Sequence, residues 1–358
     1  MKELSVVGGG VIGLSVAWRA SARGHRVTVY DPEPGRGASW LAGGMLAPVT
    51  EAWPGEEDVL TLGETSLRRW PDFARDLAEE GIDPGLSPHG TLVVALDGAD
   101  AGNLEMLAAY LAGLGREVER LTGREARRAE PGLAGSVRSG LLVPGDLAVD
   151  NRRLLHALRH GCGRHGVEFR YETVAELGAL GGGSVVLAAG AWTGRLHPAL
   201  AGAVRPLKGE ILRLRPRRGC LPPPKRTVRA MVEGRPIYLV PRDDGQLVLG
   251  ATQYEAGFDE TVTVRGVREL LEGAERVFPG ITEYELVETA AGLRAASVDT
   301  MPFIGELGEG VFAATGHHRN GLLMAPVTAD AAVAWLDGGP VPDEVAAAAP
   351  SRRSEERV

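Results

Sequence analysis

The first 31 residues constrain this chain most. An apolar run, Leu4-Ser5-Val6-Val7, enters Gly8-Gly9-Gly10-Val11-Ile12-Gly13, a helical pattern of small apolar residues follows, and a second apolar run, Arg26 to Tyr30, ends in Asp31. That order predicts strand, tight turn, helix and strand, with Gly8, Gly10 and Gly13 in G-x-G-x-x-G spacing. Gly8 suits the turn, Gly10 admits a pyrophosphate to the backbone, and Gly13 allows the helix to pack closely on the sheet. Free N–H groups at the helix start attract phosphates. Asp31 stands where an acid accepts hydrogen bonds from a ribose. The alternative is a glycine-rich turn without a ligand, but strand, helix and acid all fall in place for a dinucleotide.

A second glycine-rich stretch runs from Pro32 to Pro48 and has neither helical nor strand period. Just beyond the ribose acid, such a loop can run beneath a pyrophosphate or a ring system, a requirement that suits a flavin dinucleotide better than a nicotinamide one. The 358 residues leave room for two domains. A net charge of -8 argues against general nucleic-acid binding. Apolar runs fall short of the roughly 18 residues of a membrane span, and the first strand begins too early for a signal peptide. A soluble, cytoplasmic protein is expected. Cys162 and Cys220 form no C-x-x-C and no metal-like cluster, so no metal is expected.

Periodicity predicts an amphipathic helix or helix pair from Asp58 to Glu80, with Pro71 at a first turn or kink, and a buried strand over His89–Leu96. Helices are expected over Ala101–Gly115, from Thr122, from an Asp150 cap to about Gly163, and over Val264–Phe278. Val167–Arg170 and the very apolar Ser184–Trp192 read as strands, and Ile237–Arg242 and Gln246–Gly250 flank a D-G turn as a hairpin. The expected fold class is α/β: a discontinuous Rossmann-like dinucleotide domain (residues 1–50, 141–204 and 288–340) and a mixed α+β substrate domain built on an antiparallel sheet (51–140 and 205–287). Residues 341–358 are expected to fray.

Near the C-terminus, the strand Val311–Thr315 and a helix expected from about Gly321 to Leu336 aim at one place. A ring gaining negative charge on reduction would be stabilised there by preorganised dipoles. Arg294 and Arg319 sit in small, apolar company and need an anionic partner, either a substrate carboxylate or an internal acid. His317 and His318 beside the glycine turn read as hydrogen-bonding residues rather than catalysts.

Over nearly its whole length the chain resembles the glycine oxidases of thiamine biosynthesis, within the D-amino acid oxidase family. The resemblance rests on Val7–Gly13, Ala42–Ala47, Val186–Trp192, Lys208-Gly209-Glu210, Tyr238–Arg242, Gly292-Leu293-Arg294 and Gly316–Leu323. It implies noncovalent FAD, with contacts at Val11, Ile12, Asp31, Ala38, Ser39, Gly43, Gly44, Met45, Val174 and the turn His317, His318, Arg319, Asn320, Gly321, Leu322 and Leu323. It also implies that Arg294 and Arg319, with Tyr238 beside them, bind the carboxylate of a small amino acid. The α-hydrogen would leave as hydride, oxygen would take the electrons to give hydrogen peroxide, and the imine would hydrolyse or pass to a thiazole synthase. No side chain is assigned as acid or base, and a homo-oligomer is expected. Two departures stand out: Ala295 replaces a proline common after the Gly-Leu-Arg arginine, and the stretch from Tyr171 to Ser184 is short. A sarcosine or D-amino acid oxidase, a dehydrogenase of the same fold and a non-catalytic FAD-carrying subunit are the competing readings.

Overall fold

The computed structural model describes residues 1–352, which form two large sheets and a small one. The six-stranded sheet runs in the order Phe303–Gly308, Val311–Thr315, Ser184–Leu187, Glu3–Val7, Arg26–Tyr30 and Glu168–Arg170. All its pairings are parallel except that of Phe303–Gly308 with Val311–Thr315. Parallel strands require cover on both faces. One face is covered by the helices Val11–Ala22, Asn151–Arg164 and Ala325–Asp337, which share a core through Leu14, Leu158 and Val333. The other carries a smaller cluster around Val7, Leu187 and Leu200.

The eight-stranded sheet runs Tyr284–Ser297, Val204–Pro216, Leu247–Gly250, Arg235–Pro241, Thr227–Val232, Thr91–Ala95, Ser139–Val143 and Glu119–Thr122. Its one departure from antiparallel pairing is between Thr91–Ala95 and Thr227–Val232. Helix Val264–Val277 buries Leu270, Ala274 and Val277 against Leu212, Leu239 and Leu249 of this sheet. Asp243-Asp244-Gly245 closes the hairpin as the D-G pair predicts, with Gly245 at φ +81°. Asp150 caps its helix by accepting from the Arg152 and Arg153 amides.

Several expectations need correction. Residues 139–143 and 284–297 belong to the eight-stranded sheet, because they pair antiparallel with Thr91–Ala95 and Val204–Pro216, so 141 and 288 are not the sheet boundaries. Residues 57–79 form one helix with Pro71 inside it, and Trp70, Phe73 and Leu77 join the core of the dinucleotide sheet rather than the second unit. The strand at 184 stops at Leu187; Gly190, at φ +55°, turns the chain into a short helix over Gly190–Arg195. The C-terminal helix starts at Ala325, not Gly321, because Pro326 suits a first turn and the preceding residues are used in tighter turns. Over residues 343–352 the tail is docked: Val345 and Ala348 are buried, and Arg352 binds Asp299 with Nε 2.7 Å from a carboxylate oxygen. Residues 353–358, also expected to fray, lie outside the described part.

Candidate active site

The carboxyl ends of the parallel strands collect the glycine turn, Asp31, the Gly190 turn and the segment from Gly316 onward at one edge. Such an edge is where open α/β sheets take their ligands. A Cβ built on Gly13 would stand 1.9 Å from the Gly8 carbonyl oxygen, and one on Gly8 would stand 2.2 Å from that of Ala188. Both glycines are therefore required by close backbone packing. Gly10 differs, since a Cβ there would meet no backbone but only Ser39 Oγ, at a tight 3.2 Å, so its face abuts the cradle. The Asp31 carboxylate accepts from the Gly9 and Glu33 amides, each at 2.7 Å, which fixes its position at the end of the second strand.

The second cradle folds over this turn. Ser39, in the short helix Ala38–Leu41, accepts from the Val11 amide at 3.0 Å. Gly44 has φ +91° and its missing Cβ leaves room for the Val149 carbonyl. Met45 packs with Tyr238, Val240 and Val248, linking the cradle to the eight-stranded sheet. Val174 lies in the loop after Glu168–Arg170 and packs against the cluster around Val7, Leu187 and Leu200.

Tyr238 and Arg294 occupy slots left by glycines. A Cβ on Gly43 would stand 2.7 Å from the Tyr238 ring, and one on Gly250 would stand 2.3 Å from its hydroxyl. Burial raises the Tyr238 pKa, so the phenol stays protonated and can donate. Arg294 lies on Gly209 and its Nη1 donates to the Thr252 carbonyl at 3.3 Å. Among the described residues it has no carboxylate partner, so its charge is open to a ligand.

Arg319, expected to bind the substrate carboxylate together with Arg294, has internal partners. Its Nε lies 3.4 Å from Glu51 and its Nη2 lies 3.1 Å from Glu56, so two internal acids already answer its charge. Glu51 also pairs with Arg229 at 3.2 Å. Nothing in the spacing of Glu51, Glu56 and Thr252 marked them as partners of the two arginines.

The bridge between Ala296 and His317 brings Arg294 and the 318–320 turn to the same side of the site. His317 is buried and meets Thr328 Oγ1 at 3.0 Å; burial lowers its pKa to about 3. His318, at φ +49°, is lowered to about 4 by burial and then by the charges of Arg319, Arg294 and Arg205. Both imidazoles are neutral at ordinary pH. His318 Nε2 is buried without a hydrogen-bond partner, an orphan that a bound group could satisfy. Asn320, Leu322 and Leu323 are buried, and the Leu323 carbonyl is held by Ser66 Oγ at 2.7 Å and Trp70 Nε1 at 2.9 Å, so Gly321 and its neighbours form a rigid turn.

A Gly10 face free of backbone, a helix start behind it, a second cradle and an orphan imidazole at the far end fit an extended dinucleotide with a ring system. The comparisons agree. The profile of a family described as FAD dependent oxidoreductase (DAO) matches residues 3–335. A glycine oxidase of Geobacillus kaustophilus is 33% identical, with 91% of this chain and 90% of the relative covered. The bifunctional protein ThiO/ThiG of Trichormus variabilis is 30% identical over 92% of this chain, which spans about half (51%) of that relative. The crystal structure of the G. kaustophilus glycine oxidase superimposes with a TM-score of 0.87 at 31% identity, covering 98% of this chain and 99% of that one. No helix among the described residues is long and apolar enough to cross a membrane. The chain belongs to the DAO family of FAD dependent oxidoreductases and is an FAD-dependent enzyme of that family.

Proposed function

We propose that this enzyme oxidises glycine, or an amino acid about as small, to its imine, with oxygen reduced to hydrogen peroxide. The imine then hydrolyses to the 2-oxo acid and ammonia. One observation carries the reading: Arg294 presents an unpaired guanidinium beside a protonated Tyr238 in a site walled by glycines and buried side chains. A carboxylate is the anion whose two oxygens match that fork. FAD, when bound, supplies the two-electron acceptor and the route to oxygen.

The protein's share is positioning. Arg294 holds the carboxylate, Tyr238 donates to one of its oxygens, and the Thr252 carbonyl fixes the arginine from behind. Arg319, paired with Glu51 and Glu56, frames the site instead of binding the substrate directly. An amine that arrives neutral requires no proton acceptor from the chain, and the neutral His317, buried, and His318, half-buried, are suited to hydrogen bonding. Orientation alone can supply several kcal/mol of the barrier.

The likeness to ThiO/ThiG proteins and to a Rhizobium etli protein named as a thiamine biosynthesis oxidoreductase supports a place in thiamine biosynthesis, with the imine taken up by a thiazole synthase. The deciding experiment is anaerobic titration of the yellow protein with glycine, sarcosine and D-alanine. Bleaching by glycine is expected. Failure of all three to bleach the flavin sinks the amino-acid reading, and bleaching without peroxide formation in air replaces oxygen with another acceptor.

A further inference from the structure

Asn151, the first residue of the helix Asn151–Arg164, is fully buried and uses its whole carboxamide. Its Nδ2 donates to the carbonyls of Ser39, at 2.9 Å, and Trp40, at 2.7 Å. Its Oδ1 accepts from Arg213 Nη2 at 3.1 Å and Arg242 Nη2 at 3.0 Å. The amide orientation follows from its partners, because an arginine can only donate and a carbonyl can only accept. Arg242 Nη2 continues to the Gly43 carbonyl at 2.7 Å. Two carbonyls of the cradle are thus tied to Arg213 and Arg242 through one side chain, and Arg242 holds a third directly.

The tie reaches the first glycine turn. Ser39, whose carbonyl Asn151 holds, accepts from the Val11 amide through its hydroxyl. The relay from Arg213 and Arg242 through Asn151 to Ser39 and Val11 sets the cradle relative to the Gly8–Gly13 turn. The neighbourhood carries the charges of Arg152, Arg213 and Arg242 against Asp150 and Glu288, and the Nε groups of Arg213 and Arg242 are buried without hydrogen-bond partners, that of Arg242 lying 3.8 Å from Asp150. Asn151 Oδ1 is the side-chain acceptor that those two guanidiniums share.

We propose that Asn151 is a positioning residue for FAD: its carboxamide holds Ser39 and Trp40 directly, and Gly43 by way of Arg242, in the geometry that retains the dinucleotide. Asn151 does not itself have to touch the cofactor. The inference rests on FAD binding and is independent of which substrate is oxidised.

Asn151→Asp is the sharp test, because it keeps oxygens for Arg213 and Arg242 but turns the donor facing Ser39 and Trp40 into an acceptor. FAD binding to deflavinated protein is followed by flavin fluorescence, and melting of the apoprotein is measured in parallel. A Kd raised roughly 30-fold is expected, as for two lost hydrogen bonds, with the apoprotein Tm lowered by only about 3 °C. Asn151→Leu, which removes both halves of the tie, should release FAD at least as readily. Should either apoprotein fail to fold, the rate of FAD loss from co-expressed holoprotein on dilution decides in its place, with release expected to be roughly 30-fold faster. FAD retention within threefold of the unaltered protein in both variants overturns the proposal, as does an apoprotein Tm that falls by more than about 10 °C together with the affinity.

Discussion

Arg294 lies flat against Gly209: a Cβ built on Gly209 would stand 2.2 Å from Nη1 and 2.6 Å from Cζ of the arginine. The two residues sit on paired strands, with Lys208 opposite Leu293 and Gly209 opposite Gly292. The guanidinium thus crosses the sheet over bare backbone and reaches Thr252.

Gly209→Ala should therefore push Arg294 off its seat without touching the cradle. The expected result is a KM for glycine raised roughly 10–100-fold, the loss of one charge-assisted bond, with FAD content unchanged. Arg294→Ala should have at least that effect and leave the protein yellow. Steady-state kinetics together with the flavin-to-protein absorbance ratio check both. An unchanged KM in Arg294→Ala would remove the carboxylate role.

Gly13→Ala should fail at the cofactor instead. The added carbon would stand 1.9 Å from the Gly8 carbonyl and 3.1 Å from Val6 Cγ1, so the helix must move away from the turn that receives the phosphates. Protein purified with little or no flavin absorbance is the expected outcome, and a full complement of FAD would contradict it.

Trp70→Phe isolates the support of the 321–324 turn. Trp70 is fully buried, packs edge-on to Phe73 at 5.3 Å between centroids, and donates to the Leu323 carbonyl. Ser66 still serves that carbonyl in the variant, so the cost should be about 1–3 kcal/mol, from the lost bond and the smaller ring. Denaturant unfolding measures it.

Asp146 gives a pH dependence of stability. It is fully buried, accepts from Thr50 Oγ1 at 2.8 Å, and burial raises its pKa from 3.8 to about 7, against the opposing influences of Thr50 and the Arg229 charge. With a raised folded-state pKa, the folded protein holds this proton more tightly than the unfolded chain. Stability is therefore full below about pH 4, falls as pH rises to about 7, and is level above that, with this group contributing at most about 4 kcal/mol. Asp146→Asn should flatten the profile between those values, as read by chemical denaturation across pH.

The amino-acid sequence by itself determined the elements whose causes are local. Gly8, Gly10 and Gly13 with Asp31 announced strand, turn, helix and strand, Asp150 announced a helix cap, and Asp243-Asp244-Gly245 announced the hairpin, because turn chemistry and short-range periodicity act within a few residues. The placement of Arg294, Tyr238 and the 317–323 turn in one site followed from resemblance, and the structure brings them together through the bridge between Ala296 and His317 and the glycine slots at 43, 209 and 250. What only the tertiary structure decided was partnership at a distance. Arg294 and Arg319 look alike in sequence, yet one faces a carbonyl and the other two carboxylates, because Glu51 and Glu56 approach from a segment more than 260 residues away. The same holds for the sheet that claims residues 284–297, for the docked tail and for Asn151. Each is set by which surface is left to bury and which polar group is left to satisfy once the sheets have packed, quantities that no window of sequence contains.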